Sequence, residues 1–133
     1  ETYKKFFVEM CSLGKKVKEN IKNEIKNNRL VIGLGASTKG NVLLQFFRID
    51  KKMLPYISEK QTMKVGLKTL GSDIELISEE KARDLNPSCM LMLPWYFKKE
   101  IILREKKYLD NGGSILVPMP YAHIVNKDGE KKL

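Results

Sequence analysis

The chain has 133 residues, with 25 Lys and Arg against 16 Asp and Glu, for a net charge of +9. That length builds one domain with a sizeable core; no apolar run approaches the roughly 20 residues of a membrane helix, and no signal-peptide pattern is visible. The charge raises nucleic acid as a partner, but the lysines are scattered among acids and belong to no aromatic-basic module, so nucleic acid is disfavoured.

Residues 3–28 read as one amphipathic helix. Tyr3, Phe6, Phe7, Met10, Val17, Ile21 and Ile25 recur at three- and four-residue steps, and lysines fill much of the rest. Such a helix can lie on a membrane surface, but packing of the stripe against the chain's own sheet is the preferred reading. Cys11 and Cys89 lack metal-ligand spacing, and no metal is expected. Cys89 reads as a buried free thiol, which fits a reduced, cytoplasmic setting.

Leu30–Ile32 reads as a short buried strand. It runs into Gly33-Leu34-Gly35-Ala36-Ser37-Thr38-Lys39-Gly40-Asn41, and a helix follows over Val42–Phe47. Strand, glycine turn and helix open a Rossmann-type βαβ unit. Gly33 and Gly35 allow a tight turn and close approach of a ligand. Ser37 or Thr38 can cap the helix, whose N-terminus attracts an anion, and Lys39 adds a full charge there. Thr38 stands where a dinucleotide fingerprint has its third glycine, and Lys39-Gly40-Asn41 inverts the phosphate-loop order. The turn therefore also fits a plain packing role.

Tyr56-Ile57 is a candidate second strand, with Glu59 just past its end. Glu59 reads either as a surface turn residue or as an acceptor for a sugar hydroxyl. Residues 60–73 form a long loop in which Lys60 and Lys64 can add charge to a bound anion. Ile74–Ile77 is a strand, and Ser78 caps a short helix that stops near Asn86-Pro87. Ser88–Leu93 is a continuous apolar run, as a parallel strand covered on both faces requires.

Pro94-Trp95-Tyr96-Phe97 ends that strand. Trp95 and Tyr96 can stack on a base or sugar there, or plug the core edge. A helix from Lys98 to Leu109 carries an outward Glu100–Arg104 pair. Ser114–Val117 is the last strong strand. His123 is read as exposed in a connecting segment, and Asn126–Leu133 as a frayed polar tail. The alternation predicts an α/β, Rossmann-like three-layer sandwich of about five mainly parallel strands. The expected layout is a leading helix over residues 1–28, a core over 29–125 and a tail over 126–133, and a start at Glu1 rather than Met raises the expectation of a piece excised from something longer.

Three motifs in order carry a resemblance. Gly33-Leu34-Gly35-Ala36-Ser37-Thr38-Lys39-Gly40-Asn41 with Leu43-Leu44 is the first. Glu59–Gly66 with Gly71 and Ile74 is the second. Leu91-Met92-Leu93-Pro94-Trp95-Tyr96-Phe97 is the third, and Glu105, Tyr108, Leu109, Gly112-Gly113 and Val117-Pro118-Met119-Pro120 follow. Together they resemble the C-terminal domain of the S-adenosylmethionine-dependent sugar C-methyltransferases, over roughly residues 30–125. The second motif departs from the family's Asp-Arg-Asn-Pro at Glu59-Lys60-Gln61-Thr62.

The resemblance implies a substrate-binding domain that closes over a nucleotide-linked sugar or other diphosphate-bearing small molecule. It would not be catalytic alone. S-adenosylmethionine would be bound by an upstream methyl-donor domain absent here, and no cofactor is expected for this chain. The implied substrate-binding residues are Gly33, Gly35, Ser37, Thr38, Lys39, Asn41, Glu59, Lys60, Lys64, Trp95 and Tyr96. The alternatives are a stand-alone nucleotide-binding domain and a Rossmann-like interaction domain that has lost its ligand.

Overall fold

The computed structural model describes residues 2–133. Helix α1 (Thr2–Lys26) leads into β1 (Val31–Leu34), α2 (Thr38–Phe47), β2 (Tyr56–Glu59), β3 (Glu75–Ser78), α3 (Glu79–Asp84) and β4 (Cys89–Met92). Helices α4 (Lys98–Arg104) and α5 (Lys106–Asp110) precede β5 (Ser114–Val117), β6 (His123–Asn126) and β7 (Gly129–Lys132). The sheet order is β3-β2-β1-β4-β5-β6-β7. The first five strands pair in parallel and the last two pairings are antiparallel.

Period-two alternation divides the core between two faces. Val31 and Leu91 share one face with Leu13, Val17 and Ile21 of α1 and with Leu43, Leu44 and Phe47 of α2. Ile32, Leu34, Met90 and Met92 face the other side, against Ala82 of α3, Ile101 of α4 and Leu109 of α5. Both faces are covered, which is why β1 and β4 are apolar at every position. The fold is α/β and Rossmann-like, as the alternation of elements predicts.

Four expectations need correction. First, the sheet has seven strands rather than about five, and Asn126–Leu133 is accordingly not frayed, because β7 pairs with β6 in register from Asn126↔Gly129 to His123↔Lys132. The turn between them is set by the Asp128 N–H donating to Asn126 Oδ1 at 2.8 Å and by Gly129 at φ 125°. Every β7 residue is exposed, so the strand has no apolar alternation to betray it.

His123 is the second correction. It is 1% exposed in β6, its Nδ1–H donating to the Tyr121 carbonyl at 2.8 Å. Third, the helix expected over Lys98–Leu109 breaks at Glu105, which is buried and faces Arg83 at 3.5 Å. The break brings the Tyr108 hydroxyl within 3.0 Å of the Pro87 and Ser114 carbonyls.

Fourth, the α1 stripe is buried only in its middle, at Val17 and Ile21 beside Leu13, and Ile25 is again 40% exposed. Tyr3 is 89% exposed and Phe6 60% exposed. The loop expected over 60–73 holds a short 3-10 turn at Thr62–Lys64 and is tied to β3, the Gly66 N–H donating to Leu76 O and the Leu76 N–H to Leu67 O.

Candidate functional site

The chain runs outward from β1 in both directions, to β2 on one side and to β4 on the other, and ligands in such sheets collect beyond the strand ends at that reversal. A cleft of about 280 Å³ opens there. Its walls are Gly35–Ser37 after β1, Ser58–Gln61 at the end of β2, and Pro94, Tyr96 and Phe97 after β4. Glu79 of α3 and Ile101 and Arg104 of α4 complete it.

Local chemistry fixes the β1–α2 turn. Gly35 takes φ 80°, which disfavours a side chain, and its N–H donates to Ser58 O at 2.9 Å. Ser37 is extended and its Oγ accepts the Gly40 N–H at 3.0 Å, so Ser37 rather than Thr38 is the cap. The helix therefore starts at Thr38, four residues earlier than its apolar pattern indicates. A Cβ on Gly40 would meet Leu93 Cβ at 2.6 Å. This glycine lets α2 seat against the end of β4 and holds its N-terminal N–H groups and positive dipole end beside the cleft.

Glu59 closes β2 and is 5% exposed, not a surface turn residue. Its Oε1 accepts the Lys60 N–H at 3.0 Å and, more weakly, the Gln61 N–H at 3.4 Å. No donor among the described residues reaches the buried Oε2. An acceptor taken from water without a partner is costly.

Across the cleft, Lys39 Nζ lies 4.8 Å from the centre of the Tyr96 ring, and Tyr96 packs on Phe97 with centroids 4.8 Å apart. Arg104 pairs with Glu79 and not with Glu100, because the two residues meet across the cleft wall.

Of the expected site residues, Gly35, Ser37, Glu59, Lys60 and Tyr96 line the cleft, and Lys39 joins it through Tyr96. Gly33 lies inside β1 against Ile57 and serves packing. Thr38 is exposed in the first turn of α2, outside the lining. Asn41 is half-buried in α2, its Oδ1 without a partner among the described residues, and does not line the cleft. Lys64 is exposed beyond the lining. Trp95 is partly buried past the end of β4, in contact with both core clusters, and does not line the cleft.

Glu79, Arg104, Phe97 and Ile101 were not expected as site residues. Phe97 stands inside the third motif, but Glu79 and Arg104 read in sequence as ordinary helix-surface charges. A roomier groove of about 670 Å³ between the first half of α1 and Met119–Ala122 is walled mainly by apolar side chains, with Glu9, Ser12, Lys16 and Lys132 among its lining. Among the described residues no helix is long and apolar enough to cross a membrane.

Comparison with known proteins agrees with the motif order. The chain is 30% identical over 126 residues to the C-methyltransferase NovU of Streptomyces niveus, a match covering 95% of this chain and 30% of that protein. The chain thus spans less than a third of the length of this curated relative. The model of the C-methyltransferase C-terminal domain matches residues 1–120, and the chain belongs to that family.

Proposed function

We propose that this chain is the substrate-binding domain of a methyltransferase, and that its cleft holds the diphosphate of a nucleotide-linked sugar at the N-terminus of α2. The observation that carries the reading is one cleft joining a capped helix N-terminus, the buried and half-satisfied Glu59 carboxylate, and the Lys39–Tyr96 pair. A helix N-terminus with a lysine beside it suits a phosphate. An aromatic face and an unpaired acceptor suit the base and sugar that a nucleotide attaches to it.

In this reading S-adenosylmethionine supplies the methyl group and is bound upstream, in a methyl-donor domain of the same protein. The α2 end fits that cofactor poorly, since its sulfonium cation would face Lys39 and the positive dipole end. The chain's own task is to grip the diphosphate and shield it from water, with no bond made or broken by its side chains. The setting of such an enzyme is cytoplasmic.

The test is calorimetric titration of the chain with thymidine diphosphate and, separately, with S-adenosylmethionine, each repeated on Lys39→Ala. Diphosphate binding weakened about tenfold by the substitution, with no heat from the methyl donor, is expected. Binding of S-adenosylmethionine, or no diphosphate binding, overturns the reading.

A further inference from the structure

A second groove, of about 350 Å³, lies between α1 and the C-terminal end of α2 and shares no lining residue with the diphosphate cleft. Its floor is apolar. A Cβ on Gly14 would meet the Phe47 ring at 2.5 Å, so this glycine, costly inside a helix, lets the two helices close on that ring. Phe46 stays 44% exposed beside it, edge-on to Phe47 and to Phe7 of α1, with centroids 6.0 and 6.1 Å apart.

The rim is basic. Lysines that look scattered in sequence come together here: Lys15, Lys18 and Lys22 follow one wall on α1 over about 10 Å. Arg48 lines the groove from the end of α2. None of these four cations forms an ion pair among the described residues, and Glu19 is the one acid in the lining. Two features of this rim work against the free chain. Lys18 and Lys22 repel one another at a spacing of one helical turn. Arg48 caps α2 at φ 58°, a left-handed helix end where glycine or asparagine is usual. A negatively charged occupant relieves the repulsion and gives the Arg48 side chain a reason to stand there.

The shape selects among anions. Cations spread over about 10 Å of helix exceed the reach of one phosphate. A bilayer surface cannot follow a concave floor down to the buried Phe47 ring. Single-stranded nucleic acid stacks its bases on open ring faces, and of the two rings in the lining only Phe46 is exposed. A polypeptide meets both demands, with carboxylates spaced along a backbone and an apolar side chain between them.

We propose that the α1–α2 groove docks an acidic polypeptide segment of a partner protein, with one apolar side chain seated over Gly14 and Phe47 and flanking carboxylates paired with Lys15, Lys18, Lys22 and Arg48. It gives the domain a protein-binding face separate from its substrate cleft.

Cys11 is exposed and lines the groove, so its thiol reports occupancy. The probe is the end-blocked peptide Asp-Glu-Leu-Phe-Asp-Glu, titrated into the chain by calorimetry while the rate of Cys11 modification by a thiol reagent is followed at pH 8. Saturating peptide is expected to slow that modification about tenfold. Replacing Leu-Phe by Ser-Ser in the peptide, or Lys18 and Lys22 together by Gln in the chain, is expected to weaken binding about tenfold. Arg48→Gly is expected to weaken it about threefold while leaving the thermal midpoint unchanged or higher, since glycine suits the left-handed position. That split separates recognition from folding.

No binding up to about 1 mM peptide overturns the proposal, as does binding that leaves Cys11 reactivity unchanged. Equal binding of the Ser-Ser peptide overturns it because charge alone then accounts for the attraction, and binding unaffected by the cation substitutions overturns it because the rim then plays no part. A short oligothymidylate or a phosphatidylserine vesicle that protects Cys11 more strongly than the peptide also overturns it, and assigns the groove to nucleic acid or to a membrane surface.

Discussion

Lys39 and Tyr96 lie fifty-seven positions apart in sequence order yet place Nζ 4.8 Å from the ring centre, tying the first turn of α2 to the segment after β4. Tyr96 lines the cleft, and the pair holds a cation beside the N-terminus of α2, where the helix dipole already favours an anion. At an exposed site such a contact is worth about 0.5 kcal/mol. Single variants Lys39→Ala and Tyr96→Ala and their double variant, followed by urea denaturation, are expected to show a coupling of that size. A coupling indistinguishable from zero would mean that the two side chains are merely neighbours.

Gly40 is where α2 meets the end of β4. Gly40→Ala places a Cβ 2.6 Å from Leu93 Cβ and 2.8 Å from Ser37 Oγ, so it strains the backbone seat and the cap together. A loss of about 1–3 kcal/mol is expected, despite the better helix propensity of alanine. A stabilised variant in thermal denaturation would contradict the close packing described.

Cys89 gives the chain an alkaline weakness. Burial pushes its thiol from the ordinary 9.0 up to about 11, whereas Cys11 is exposed. Between those values the unfolded chain has released a proton that the folded chain keeps, so stability falls as pH rises from 9 toward 11. The loss is of order 2 kcal/mol. Burial moves the Tyr108 phenol in the same direction, so part of the slope survives removal of the thiol. Denaturation midpoints of the natural chain and Cys89→Ala at pH 8 and pH 10.5 measure the difference. A thiol reagent at pH 8 is expected to modify Cys11 and spare Cys89.

The C-terminal hairpin is expected to matter although β7 buries nothing. The Leu133 N–H donates to Ala122 O at 3.0 Å, and Lys98 reaches Glu130 at 2.9 Å. Removing residues 127–133 leaves β6 as an unprotected edge beside the buried His123. A loss of about 1–3 kcal/mol and faster amide exchange at Ile124 are expected. Unchanged exchange there would return residues 127–133 to the status of a tail.

The amino-acid sequence by itself determined the alternation of strands and helices, the parallel core, the glycine turn after β1 and the family, because these rest on local chemistry. Continuous apolar runs such as Cys89–Leu93 can be buried only between two layers, and glycines and caps write their turns within a few residues. It did not reveal β7, whose residues are all exposed and carry no alternation, nor the burial of His123 in β6. It did not separate Thr38 and Lys64, which lie outside the cleft, from Ser37 and Lys60, which line it, because neighbours in sequence share a motif but not a direction.

Only the tertiary structure joined Glu79 to Arg104 across the cleft wall, and only it left Glu59 Oε2 buried without a donor among the described residues. Both outcomes come from bringing distant chain segments to one end of a sheet. There, burial and pairing are decided by which strands lie side by side, a quantity no local pattern encodes.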